Sequence, residues 1–495
     1  MSSPALQIAK DQLSSITDFQ RDMHVLNEND SIEIESPYYK KYVKTPWRSC
    51  VTTKFASHND GDVIIYPVNP SFHYLEYTYL SFKLPAVRVK DEWIGKIRIA
   101  YCHDAGNNIR TISTFNQDHD VCHTIDNVWG DIHPQFYQEG GSGKREGHKL
   151  GTGIINYLEN WSEDYLPPYT IDVDQPWFYS NHISSAYPIW MNGSLPRASH
   201  RYTFKKKVVS LLRVDLLKNG KWISQKANLS KYVDIIGPEN IGTPELWGRY
   251  GYVSDDELKW NNTCDDTWVT INDGDKEIKQ KTIYTRDVVS CDMENPTKYK
   301  KLATNLLKCA NPCLAFFWVA ENRDSTSIHN YSNYTTNTNN VYDGWDPIKY
   351  TTFKLGKSTV FDKMDSHHFS IAQPRKHFPS TPWMTGYHGY SNTQDSTDSN
   401  GYLGVVYDEL TAVLNCRIDN NDIYINRYKT DHDIDYNDDD NDDKTELDSP
   451  PSERRDYDDK SNDLSSPNFI VRTRLLIVRK FTITNRDGVF SFEIT

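Results

Sequence analysis

The sequence predicts an all-β protein built from two domains in tandem, and three observations carry the prediction. Aromatic residues make up 13% of the chain, with 32 Tyr and 13 Trp, and such residues suit the half-buried, pleated surface of a sheet. Short apolar runs recur roughly every ten residues between Gly, Pro, Asn and Asp, the rhythm of a sandwich or barrel rather than of alternating βαβ units. The 495 residues exceed one comfortable core, whereas two β-modules of about 200–250 residues fit.

The prediction is anchored at residues 174–214. Pro176-Trp177-Phe178-Tyr179 reads as a buried aromatic strand. Pro188, Gly193 and Pro196 supply turn chemistry where the chain reverses. His200-Arg201-Tyr202-Thr203-Phe204 alternates and is β-rich, and Val208, Val209, Leu211 and Leu212 follow. No helix of ordinary length fits between these punctuators. The stretch is expected to hold the closing strands of the first domain, with the residues after Val214 leading through a linker to the second.

From the N-terminus, Leu6, Ala9, Leu13 and Ile16 fall at three- and four-residue spacing. That predicts a short helical arm, packed either on its own domain or on a neighbouring subunit. Residues 31–55 read as a solvated edge strand kept soluble by lysine. Asp60-Gly61 marks a turn, followed by strands at 63–66 and 74–84, the latter closed by Pro85. Strands at 94–101 and 109–115 are separated by Asp104-Ala105-Gly106-Asn107-Asn108, which reads as a hairpin-like turn. Residues 314–319, Leu-Ala-Phe-Phe-Trp-Val, are a strongly apolar strand candidate. The Asn-, Thr- and Tyr-rich residues 330–340 read as an exposed loop. Strands resume at 348–353, at Val360-Phe361 and at 403–414, and two more close the chain at 469–483 and 489–494. Residues 429–466 form an acidic island that does not collapse onto a core; they read as a solvated loop interrupting the second domain.

Composition excludes several function classes. A net charge of −13 argues against a general nucleic-acid binder. The first residues lack a basic-then-apolar leader, and no apolar run approaches membrane-spanning length. Eight cysteines in so long a chain are expected to be reduced thiols. Hence the sequons at Asn160, Asn192, Asn228, Asn261, Asn330 and Asn333 are not expected to be glycosylated.

Chemistry-bearing patterns are weak. The Gly-rich segment 139–153 with Lys144 lacks a phosphate-loop ending. Cys102-His103 and Cys122-His123 are the best metal candidates, but adjacent residues on a strand point to opposite faces, so the four do not converge. Cys309 and Cys313 lack Cys-x-x-Cys spacing. His367, His368 and His377 lie near Asp365 and read as surface histidines. The acidic island lacks the EF-hand spacing of a calcium loop. Neither Gly-x-Ser-x-Gly nor His-Glu-x-x-His is present. No catalytic, cofactor-binding or metal residue is assigned, and no enzyme is expected.

Several stretches line up, in order, with one family. They are Tyr38-Tyr39-Lys40-Lys41-Tyr42-Val43-Lys44-Thr45-Pro46-Trp47, then Gly61-Asp62 with Leu84-Pro85, and then Gly106-Asn107-Asn108-Ile109-Arg110 with Phe115. Ile125-Asp126, Trp129, Asp131-Ile132 and the Ala186, Pro188, Ile189 middle continue the series. In the second half come residues 369–374 with His377, Tyr390-Ser391, Asn400-Gly401 and Leu403, and the closing pair around Asp487-Gly488. In these the sequence resembles the major capsid proteins of nucleocytoplasmic large DNA viruses. It departs from the family pattern at residues 116–119, at 186–191, at Asn400 and in the acidic insertion.

The resemblance implies two tandem eight-stranded jelly rolls with long loop insertions and a short N-terminal helical arm. The implied division is an arm at 1–30, a first roll at 31–216, a linker at 217–240, and a second roll at 241–495 carrying the acidic loop 429–466. It further implies a homotrimeric, pseudo-hexagonal capsomer tiling an icosahedral virion shell assembled in the host cytoplasm. Minor capsid or cement proteins and indirect contact with an inner viral membrane would be its other partners, with no direct nucleic-acid contact and no cofactor. A minor or scaffolding member of the group, or a β-sandwich glycan- or receptor-binding protein, are the alternative readings.

Overall fold

The computed structural model describes residues 24–26, 32–34 and 49–494, apart from 138–160, 178–186, 190–197, 259–268, 392–409, 420–467 and some isolated positions. The expected helical stripe at Leu6–Ile16, the Gly-rich segment 139–153 and the acidic island lie outside the described residues.

The first half is a sandwich of two antiparallel sheets. Sheet 1 has strands Tyr169–Asp174, Tyr74–Leu84, Glu245–Tyr252 and Ser49–Lys54, in that spatial order. Sheet 2 has Asp120–Asp126, Arg110–Gln117, Ala198–Phe204, Val63–Pro67 and His58–Asp60. Alternation is clean over residues 77–84, where Thr78, Leu80, Phe82 and Leu84 turn inward and Tyr77, Tyr79, Ser81 and Lys83 do not, after a start at which Tyr74, Leu75 and Glu76 are all buried. The strands then continue into an annex of two three-stranded sheets. Ala86–Val89 follows Pro85 and pairs with Tyr165–Leu166 and Val233–Ile236. Leu212–Lys218 pairs with Ile97–Tyr101 and Lys221–Ser224. Val87, Ile97, Ile99, Leu212 and Val214 fill this annex core.

These pairings correct three expectations. Residues 217–240 are not an open linker, since Lys221–Ser224 and Val233–Ile236 both close onto strands of the first half. Glu245–Tyr252, placed at the start of the second roll, is an interior strand of sheet 1. Residues 104–108 are not a hairpin turn either. Ala105–Asn108 is a single buried helical turn, and it carries the chain from the annex to sheet 2, so the flanking strands do not pair with each other.

The second half is another sandwich. Sheet 3 orders Val269–Asp273, Lys276–Ser290, Asn468–Arg486, Cys313–Asn322 and Tyr387–Ser391, with Val489–Ile494 folded back on the long Asn468–Arg486 strand. Sheet 4 orders Leu302–Cys309, Leu410–Ile418, Ile348–Leu355 and Ser358–Asp365. The apolar run predicted at 314–319 lies in the Cys313–Asn322 strand and is buried throughout. An unbroken apolar run means burial on both faces, and the period of two sorts them. Phe316, Trp318 and Ala320 enter the core between sheets 3 and 4, whereas Ala315, Phe317 and Val319 enter the core shared with the first half.

Residues 368–377, read with the surrounding strands and loops, instead form successive helical turns, His368–Ala372 and Gln373–His377.

Candidate functional site: a sealed seam between two open sheet faces

The face of sheet 3 that looks toward the first sandwich is covered by a helix the sequence analysis missed, Asn127–Tyr137. Its start is capped by Asp126, whose Oδ1 accepts from the Trp129 backbone N–H at 2.8 Å. Gly130 and Pro134 lie inside it and weaken its helix signal. The Trp129, Ile132, Phe136 spacing, all three buried, was the signal that could have revealed it. Phe136 lies 4.9 Å from Phe317 and 5.2 Å from Phe378 between ring centroids, and Trp129 lies 5.7 Å from Phe317. The helix can come this close because Gly389 faces it, where a Cβ would stand 2.7 Å from the Phe136 ring.

Polar groups cross the same seam in a continuous relay. Arg110 donates to Gln175 Oε1 at 2.8 Å and to Asn107 Oδ1 at 2.7 Å. Asn107 donates to Asp131 Oδ1 at 2.8 Å, and Asp131 Oδ2 accepts from the Tyr334 hydroxyl at 2.8 Å. Burial and the neighbouring Asp131 carboxylate both hold the Tyr334 phenol well above its ordinary range. Gly130 is needed here, because a Cβ would fall 1.9 Å from Asn107 Oδ1.

Tyr334 belongs to the stretch expected to be an exposed loop. It is instead buried: Asn330, Asn333, Tyr334 and Thr335 are all at most 3% exposed. The loop satisfies its own polar groups, with Asn333 donating to Ser325 Oγ and the Asn337 carbonyl and accepting from Thr335. It then reaches into the first half. Asn108 donates to Ser332 Oγ at 2.8 Å, Tyr331 donates to the Ser210 carbonyl at 3.1 Å, and Arg213 donates to the Asn339 carbonyl at 2.8 Å. Lys205 sits 3.6 Å above the Tyr331 ring.

Charge pairs close the rest of the seam. Arg474, 2% exposed at its side chain, bridges Asp126 of the first half and Asp292 of the second. Burial alone would lower its pKa, but the two carboxylates outweigh that and raise it, so the guanidinium stays charged. Asp287 accepts from the Thr124 backbone N–H at 3.0 Å and lies 2.8 Å from Arg479. Burial pushes its carboxyl up to about 6 despite the Arg479 charge. His123 and His200, buried among Phe115 and Trp177, are pushed down to about 3 by burial.

Among the described residues the weak chemical patterns form no metal cluster; His367, His368 and His377 do lie together, and burial, Lys376 and the other two histidines lower the His368 pKa. Cys102 lies in the annex core and Cys122 in the shared core; His103 lies outside the described residues. Burial raises the Cys122 and Cys313 thiols, which keeps them protonated. The seven described cysteines are unbridged. Among the described residues no group of three or more His, Cys, Asp or Glu is placed to hold a metal ion. Among the described residues one Asp–His pair is seen: His388 Nε2 lies 2.8 Å from Asp346 Oδ2, and its Nδ1 lies 3.2 Å from the Trp318 carbonyl. Both side chains are fully buried in the second sandwich, so the pair ties sheet 3 to the 344–348 turn.

Among the described residues, two sheet faces are not covered by another element. On sheet 1, the register places Asp174, Tyr79, Trp247 and Lys54 in one row across four strands. The Tyr79 and Trp247 rings run parallel, at 6°. On sheet 4, Leu306, Val413 and Lys354 form one row, and Leu302, Arg417 and Tyr350 another. Leu302 and Leu306 are 50% and 52% exposed.

Comparisons with known proteins agree with this architecture. Residues 269–402, which hold the Cys313–Asn322 strand and the buried loop, match the family model described as large eukaryotic DNA virus major capsid protein. The chain is 24% identical over 391 residues to the major capsid protein of Invertebrate iridescent virus 6, covering 73% of this chain and 78% of that one. It is 23% identical over 361 residues to the major capsid protein of Wiseana iridescent virus, covering 69% of each. In fold it is similar to the PBCV-1 virus capsid, with a TM-score of 0.59 at 10% identity, covering 92% of this chain and 98% of that one. It is likewise similar to the Faustovirus major capsid protein, with a TM-score of 0.55 at 7% identity, covering 96% and 98%. The two sandwiches are therefore a double jelly roll, and in sequence the chain is similar to the major capsid proteins of large eukaryotic DNA viruses.

Proposed function

We propose that the chain is the repeating subunit of an icosahedral virus shell, acting by assembly and catalysing no reaction. The observation that carries this reading is the seam. Helix Asn127–Tyr137, the 328–346 loop and the Arg474 bridge join two jelly rolls into one block, and a rigid block with two similar halves can present six lobes when three copies close a ring. Such a ring would be the pseudo-hexagonal capsomer. In this reading the first roll runs through Tyr252, the second takes up the chain from Val269, and the acidic loop 429–466 is an insertion in the second. Its partners are further copies of itself, neighbouring capsomers and minor capsid or cement proteins, with at most indirect contact with an inner membrane. Assembly in the host cytoplasm fits the reduced thiols. The mass of the purified chain in native solution tests the proposal: three copies are expected, and a monomer at every concentration would overturn it.

A further inference from the structure

We propose that Cys291 and Cys309 are a redox pair, closing to a disulfide that staples sheet 3 to sheet 4 when the chain meets an oxidising small-molecule disulfide. The pair lies within the second roll and does not depend on the capsomer reading. Spacing in the sequence hides it, because the two residues stand on different sheets. Cys291 directly follows the Lys276–Ser290 strand of sheet 3, and Cys309 ends the Leu302–Cys309 edge strand of sheet 4. Side chains draw these strand ends together. Asn305 donates from Nδ2 to the Cys291 carbonyl and to Thr473 Oγ1. The Cys291 thiol donates to the Lys308 carbonyl, with Sγ 3.7 Å from the oxygen. That oxygen belongs to the peptide unit joining Lys308 to Cys309. Along Leu302–Cys309 every second residue turns inward, and Cys309 shares the inward face of Ala303, Asn305 and Leu307. Its side chain therefore points toward sheet 3, where Cys291 lies.

Access and chemistry single out this pair among the described thiols. Cys291 and Cys309 are half-buried, whereas Cys102, Cys122, Cys313 and Cys416 are buried and Cys50 stands alone in sheet 1. Burial raises the Cys309 thiol, the Asn311 backbone N–H at 3.4 Å offsets part of that, and Cys291 adds to the rise, so the two sulfurs lie within electrostatic reach. Burial raises the Cys291 thiol as well. A thiol held in this way reacts slowly until it loses its proton. The Cys309 thiolate, its charge received by the Asn311 N–H, attacks one sulfur of oxidised glutathione and displaces a first glutathione thiolate. The Cys291 sulfur, giving up its proton, then attacks the Cys309 sulfur of the mixed disulfide and displaces the second. Two protein thiols are oxidised and one small-molecule disulfide is reduced to two thiols. The two protons released pass through water to the departing thiolates. The bond closes residues 291–309 into a loop and ties down the edge strand of sheet 4, which restricts the unfolded chain. A reducing compartment keeps the pair open, and oxidising surroundings close it.

The full chain, purified with reductant and then moved into oxidised glutathione without denaturant, gives the test. Peptide mapping without reduction should find Cys291 joined to Cys309 within one chain, and the intact mass should show the loss of two hydrogens. The rate should climb about tenfold per pH unit below the thiol pKa values. The thermal midpoint should rise by a few degrees on oxidation and fall back on reduction. Cys291→Ser and Cys309→Ser should each abolish the bond, whereas Cys313→Ala should keep it. Should Cys313→Ala fail to fold, fragmentation of the joined peptides from the parent chain tells Cys309 from Cys313. No bond in the folded parent, a bond from Cys309 to Cys313, or a bond between two chains would each overturn the pairing. The mass of the reduced chain in native solution reports on the capsomer reading separately.

Discussion

The seam and the open faces are built from the same residue types and behave as opposites. In the seam, aromatic rings, amides and charged groups are packed out of water and each meets a partner across the join, as Phe136 meets Phe317 and Tyr334 meets Asp131. On the open faces Tyr79, Trp247 and Leu306 lie beside charges that water still screens. Buried polar contacts are costly to break and so make a permanent join; exposed ones are weak until a partner excludes water. The difference teaches where this molecule is one body and where it is still incomplete.

The largest effect should come from breaking the seam at its charge bridge. Arg474→Met leaves Asp126 and Asp292 without their shared cation and should cost about 3–5 kcal/mol, read as a lower denaturant midpoint. Calorimetry should then show the two rolls melting in separate steps in place of one. Phe317→Ala removes the ring that helix Asn127–Tyr137 packs on and should cost about as much, roughly 3–5 kcal/mol. A parent-like single transition in both variants would mean that the seam does not couple the rolls.

Gly389→Ala should be milder, about 1–3 kcal/mol, because the new methyl meets the Phe136 ring and the helix must give way. Acid should sharpen the contrast further. His123 and His200 have folded pKa values pushed down to about 3 from an ordinary 6.5. Their contribution to stability is therefore full above pH 6.5 and is lost as pH falls toward 3. Asp287 runs the other way, since its carboxyl, raised to about 6 from 3.8, contributes stability that is full below 3.8 and fades as pH rises through about 6. The histidines outnumber it, so the unfolding midpoint should fall between pH 6.5 and 3, and Asp287→Asn should fall more steeply. At the other extreme, Lys54→Ala removes an exposed ion pair with Glu245 and should move the monomer's stability by less than about 1 kcal/mol.

Much of the fold was legible because burial leaves a period in the sequence. Residues 74–84 were legible as a strand closed by Pro85 and residues 314–319 as a strongly apolar one; the burial of the latter on both faces is what the structure adds. The seam was harder to read, and for a physical reason. Residues 330–340 carry Asn, Thr and Ser, which mark turns, and a turn is ordinarily on the surface. Here those side chains bond one another, so the turn could be buried without stranded polar groups. Helix Asn127–Tyr137 was masked by the glycine that lets Asn107 approach and by Pro134. The end of the first roll was misplaced because Glu245–Tyr252 returns to sheet 1 from far along the chain, a pairing between distant segments that no local pattern encodes.

The most direct test of the account is an electron micrograph of the purified chain. Closed particles with six lobes and three-fold symmetry are the predicted result. Isolated two-lobed particles at every concentration and salt would contradict it.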